Sequence, residues 1–148
     1  MSDLSFHEKS AWGTLLATWL IGILYFNSAW DMWRAGQLHP ASNFGLAAGL
    51  TALLVAVLVA YHILIAVTAK PEDEDERDRS ISRRAGSIGG VILTVGVIGI
   101  VFQILIGGMF DDAVAGSPIL IANALMAVVF IATIVELSLT LYFYRKGL

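Results

Sequence analysis

The chain contains no cysteine. That excludes disulfides, thiolate sites, iron–sulfur clusters and lipid-modified cysteine, and it leaves the redox compartment unspecified. Charge is almost as scarce: only 14% of the residues are Asp, Glu, Lys or Arg, against about 25% in an average soluble domain. A net charge of -3 gives no reason to expect nucleic acid as a direct ligand. Histidine occurs three times, as His7, His39 and His62. Only His62 falls in an apolar run, so a bis-histidine haem has no second ligand. The acidic cluster around Glu72–Glu76 lacks the spacing and glycine of a calcium loop. No nucleophile–base–acid set stands out, and the glycines after Arg84 sit in an apolar run without the lysine of a phosphate loop. The sequence therefore predicts neither an enzyme nor a bound cofactor or metal.

What is present is hydrophobicity. Apolar residues make up 57% of the chain, and its mean hydropathy is +0.78. They concentrate in four runs, about 11–30, 44–69, 88–108 and 119–143, with no Lys, Arg or Asp and a single Glu among them. A helix of twenty residues spans about 30 Å, the thickness of a hydrocarbon core. The expectation is an all-α polytopic membrane protein: one domain, an antiparallel up-down-up-down bundle of four transmembrane helices. The first run is too long for a signal-peptide core and no Ala-x-Ala-like site follows it, so it is expected to remain as an anchor.

Charge sets the expected orientation. Lys9, Lys70, Arg77, Arg79, Arg83, Arg84, Arg145 and Lys146 fall on one side if both termini and the second loop share it, leaving only Arg34 opposite. By the positive-inside rule that side is the cytoplasm of a prokaryotic cell, and the membrane its cytoplasmic (inner) one. The second loop reads as a helix beginning near Glu72, after Pro71, and running as a cytoplasmic extension over about 72–87 into the third span. Its acids lead and its arginines follow, as the helix macrodipole favours, with Asp73–Arg77 and Asp75–Arg79 at i,i+4. This protruding arm has two readings. Asp75, Glu76, Arg77, Asp78, Arg79, Arg83 and Arg84 are a docking surface for a soluble partner, or a solvated stalk that only enforces topology.

Small residues suggest where helices meet, because lipid supplies no hydrophobic drive and close backbone approach matters more. Ala48, Ala52, Ala56 and Ala60 form a stripe on the second run beside Gly45 and Gly49. Gly86, Gly90, Gly96, Gly99, Gly107 and Gly108 mark the third. Contacts within the monomer are expected first, with a homodimer as the other use of such faces.

Polar groups at membrane depth are costly and therefore informative. His62 lies eight residues before Lys70 and Glu136 nine before Arg145, so both are expected about 12 Å from the same end of the bundle. The two are predicted to face inward as a pair, with Thr133 one turn away on the face of Glu136. The pair is either a structural tie or a proton or ligand site. Asn27, Gln103 and Asn123 form a second expected layer near the opposite end, read chiefly as interhelical glue and alternatively as the mouth of a cavity.

Four short stretches also carry a resemblance. They are Glu8-Lys9-Ser-Ala-Trp12, Tyr61-His62, Asp75-Glu-Arg-Asp-Arg-Ser-Ile-Ser-Arg-Arg-Ala85, and Glu136 through Tyr144-Arg145. Together they resemble a group of small prokaryotic four-helix membrane proteins of unknown function, over most of the chain. Some members of that group are encoded beside small helix-turn-helix regulators. The resemblance thus implies a soluble transcriptional regulator as partner of the arm. The leading expectation is a membrane-embedded interaction or regulatory protein. The alternative is a small proton-coupled transporter or ligand sensor built on His62 and Glu136.

Overall fold

A computed structural model describes residues 5–68, 75–110 and 114–147. Those residues form four helices: α1 (Phe6–Arg34), α2 (Pro40–Thr68), α3 (Glu76–Met109) and α4 (Pro118–Lys146). Three of them, α2, α3 and α4, are long and apolar enough to cross a membrane. Large apolar side chains such as Phe44, Val67 and Phe102 point outward along them, as a lipid-solvated surface requires.

The helix starts follow local chemistry. Ser5 caps α1 by accepting from the Glu8 N–H at 3.2 Å. His39 starts α2: its Nδ1 accepts from the Ser42 N–H, while the Ser42 hydroxyl accepts from the His39 N–H, with Pro40 first in the helix. This starts α2 four residues ahead of where hydrophobicity alone would begin it and puts Asn43 inside the helix. Gly36, at φ +67°, makes the turn out of α1 that other residues resist. The charged segment departs from expectation in its start. Asp75 is not a helical residue: it caps α3, exchanging side chain-to-backbone bonds with Asp78, so the helix begins at Glu76 rather than near Glu72. Pro71, Asp73 and Lys70 lie outside the described residues. From Glu76, α3 runs unbroken for 34 residues, about 51 Å.

The helices are antiparallel, but their neighbours are not those of a closed ring in chain order. The central pair is α1 and α4; α2 lies against α1, and α3 lies against α4. The consecutive helices α2 and α3 do not pack on one another, and α2 meets α4 only slightly. Consequently Ala48, Ala52, Ala56 and Ala60 are exposed, and nothing lies within 4 Å of where Gly45 or Gly49 would carry a Cβ. The small-residue stripe of α2 is not a helix contact in the monomer. On α3 the expectation divides. Gly86 and Gly96 face α4 and Gly107 is buried, whereas Gly90, Gly99 and Gly108 face open space.

Close approach is real at four glycines, one of them Gly89, where a Cβ would stand 2.9 Å from the Glu136 side chain. The Tyr61 ring occupies the space a side chain on Gly13 would need, joining α2 to α1. A Cβ on Gly22 would stand 3.2 Å from the Phe130 ring, joining α1 to α4. A Cβ on Gly96 would stand 2.5 Å from Val128, joining α3 to α4. Around Gly22, Tyr25 is wholly buried and stacks edge-on to Phe26.

Candidate functional site

Two polar assemblies, one at each end, hold the molecule together. The first end contains the N-termini of α1 and α3 and the C-termini of α2 and α4. There the Tyr61 hydroxyl donates to the Lys9 carbonyl at 2.6 Å, and Ser10 Oγ and His62 Nε2 lie 2.9 Å apart. Arg145 lies over the Trp12 ring, 5.4 Å from its centre. Tyr144 donates to Asp78 at 2.7 Å, and Arg77 reaches the Tyr144 carbonyl at 3.2 Å. His7 Nε2 sits 3.9 Å from the Asp78 carboxylate, too far for a hydrogen bond, and this buried atom has none among the described residues. Burial of Asp78 raises its pKa, but the Tyr144 hydroxyl, the Asp75 backbone N–H and the His7 charge outweigh it and hold the carboxyl below its ordinary value.

These contacts place the charged arm against the bundle. Ile81 and Ala85 are buried and Asp78 is engaged, so the first turns of α3 are docked on one face rather than standing free. Glu76, Arg79, Arg83 and Arg84 remain exposed on the other side. Asp75 and Asp78 are committed to the cap and to Tyr144, so of the seven arm residues these four present the outward charge.

His62 and Glu136 are not joined. Both ring nitrogens of His62 are taken, one by Ser10 and one, at 2.7 Å, by the Leu58 carbonyl. Its side chain is exposed at the edge of α1 and α2 rather than turned inward. Glu136 is half-buried on the far side of α4, where its carboxylate fills the space left by Gly86 and Gly89 of α3. The levels differ too. Taking Gly22 and Phe130 as a common height, Ser10 and its partner His62 lie about 18 Å away and Glu136 about 9 Å. The physical reason is stagger. By the same count Arg145 lies about 22 Å from that height, whereas α2 already reaches about 27 Å at Thr68, so basic residues at helix ends do not mark one depth. Thr133 is half-buried on α4.

The second polar assembly, at the opposite end, also differs from the expected amide layer. Asn123 is its centre. It accepts from the buried Tyr25 hydroxyl at 2.9 Å and donates to Asn43 at 3.0 Å, tying α1, α4 and α2. Asn27 and Gln103 are elsewhere and exposed. Asn27 lines a groove of about 440 Å³ between α1 and α4 with Trp19, Phe26 and Phe130. Tyr25 and Asn43 are not among the polar residues that the sequence singles out at membrane depth. The acids and imidazoles among the described residues form no cluster able to hold a metal ion.

Residues of α1, α2, α3 and α4 meet at the first end. Lys9, Trp12, Tyr61, His62, Asp78, Tyr144 and Arg145 are each one half of a contact between helices there. Comparison with family models, curated proteins and solved structures finds no match to this chain.

Proposed function

We propose that the chain is a four-span protein of the prokaryotic cytoplasmic membrane, with both termini in the cytoplasm, that works as an interaction or regulatory protein. In this reading α1 is the fourth span, and the charged start of α3 docks a soluble cytoplasmic protein such as a transcriptional regulator. Eight of the nine basic residues then face the cytoplasm. The observation that carries the reading is the state of the arm. Its inner side is fixed through Ile81, Ala85 and the Asp78–Tyr144 bond, while Glu76, Arg79, Arg83 and Arg84 face outward. A charged surface already held in one shape binds with less ordering cost than a flexible one. The proton-coupled alternative has weaker support, because its two ionisable groups sit on separate helix faces with separate partners.

A photo-crosslinking side chain placed at Glu76 or Arg79, in cells, tests this. Adducts with one soluble protein are expected from those positions and not from Ala56, exposed at mid-helix on α2. Adducts with no soluble protein from either arm position would overturn the reading.

A further inference from the structure

The outward face of the arm has internal structure of its own. Glu76, Arg79, Ser80, Arg83 and Arg84 line a shallow groove of about 300 Å³. Arg79 and Arg83 are four residues apart on one helix, which brings like charges side by side at an energetic cost. Among the cations at this end, Arg145 lies over Trp12, Lys146 over Tyr142, Arg77 reaches the Tyr144 carbonyl, and Arg79 has a partner of its own. Arg83 and Arg84 have no hydrogen bond or ion pair among the described residues.

Depth decides what meets these side chains. The apolar stretch of α3 from Ile88 to Gly108 contains 21 residues, about 31 Å of helix, which matches a hydrocarbon core. Arg84 is then about 6 Å and Arg83 about 7.5 Å beyond the core, within the headgroup layer, with Arg79 one turn further out. Guanidinium groups bind phosphate oxygens in a forked, bidentate geometry, and arginine stems lie readily along apolar surface with the charge at the interface. Glu76 closes the water side of the groove with a negative charge. That carboxylate repels a doubly charged phosphate monoester more strongly than a phosphodiester with one negative charge.

We propose that Arg79, Ser80, Arg83 and Arg84 form a binding site for the phosphodiester of an anionic phospholipid in the leaflet that α3 enters. The proposal rests on α3 spanning the bilayer, as in the functional reading above, and assigns Arg83 and Arg84, two of the arm's outward charges, to lipid, leaving Glu76 and Arg79 at the water side within reach of the soluble partner. Arg83 and Arg84 hold the phosphate, the Ser80 hydroxyl donates to it, and Arg79 adds charge at the water side.

Native mass spectrometry of the full chain in detergent, with equal phosphatidylglycerol and phosphatidylcholine of the same acyl chains, provides the test. Each arginine near an anionic surface contributes roughly fivefold, so a preference of at least about tenfold for phosphatidylglycerol is expected. The single variants R83Q and R84Q should each lower that preference, and R79Q/R83Q/R84Q should abolish it. R34Q, at the other end of the molecule, should leave it intact. Raising the salt on the unaltered protein should weaken it as well, a measurement independent of how the variants fold. Equal binding of the two lipids by the unaltered protein, or a preference untouched in the triple variant, would overturn the proposal. No soluble partner is present in this experiment, so its failure and the failure of the crosslinking test are separate results.

Discussion

Gly13→Ala should unfasten α2 from α1. The Tyr61 ring stands where the new methyl group must go, and its hydroxyl donates to the Lys9 carbonyl at 2.6 Å. A helix of this length cannot shift locally, so Tyr61 has to swing away. Overpacking of this kind costs about 1–3 kcal/mol. The displaced hydrogen bond adds about 0.5–1.5 kcal/mol. Replacing a helical glycine by alanine returns about 1 kcal/mol. The net is a loss of about 2 kcal/mol, up to about thirtyfold in the folding equilibrium. Reversible unfolding in mixed micelles, followed by circular dichroism, measures it. Gly49→Ala is the internal control. Nothing lies within 4 Å of its Cβ position, so it should be neutral or slightly stabilising. The double variant G13A/Y61A should be less destabilised than the sum of its parts, because the clash vanishes with the ring. Equal stabilities for the Gly13 and Gly49 variants would refute the packing argument.

Other expectations follow from contacts at both ends and along the α3–α4 seam. Asn123→Ala strands the buried Tyr25 hydroxyl and should cost about 1–3 kcal/mol in the same unfolding assay; adding Y25F should recover part of it, and a neutral N123A would contradict the assigned bond. Gly96→Ala meets Val128 at 2.5 Å and should cost about 1–3 kcal/mol, with V128A as a partial suppressor; additive losses would count against direct contact. The Asp78 carboxyl is held below its ordinary 3.8, so its stabilising contribution is complete above that value and is lost as pH falls toward the depressed one. Thermal melts should therefore show the gap between the unaltered protein and D78N narrowing as pH falls from 7 to 3. A gap constant across that range would remove Asp78 from the account.

Helices were legible in the sequence because each apolar run is long and nearly free of charge. Their boundaries were legible only where capping chemistry was weighed against hydropathy. The reciprocal side-chain bonds at His39–Ser42 and Asp75–Asp78 set the starts of α2 and α3, and each moved a boundary by about one turn. Which helices touch was not legible. A stripe of alanines packs as well against acyl chains as against protein, so Ala48 through Ala60 carried no signal separating the two. The His62–Glu136 pairing failed for a related reason. Terminal charges give depth only when helix ends are level, and Ser10 lies just ahead of the first apolar run, so hydropathy does not mark it as a partner for His62. Asn43 is illegible because of the boundary at Pro40, since it becomes a helix-facing donor and acceptor only once α2 starts early.

Glu136 and Gly89 share one volume: the carboxylate of the first stands 2.9 Å from where the second would carry a side chain. The two positions are therefore tied in inheritance. Enlarging residue 89 is least costly in a chain whose residue 136 is already smaller, so the order in which the two change matters.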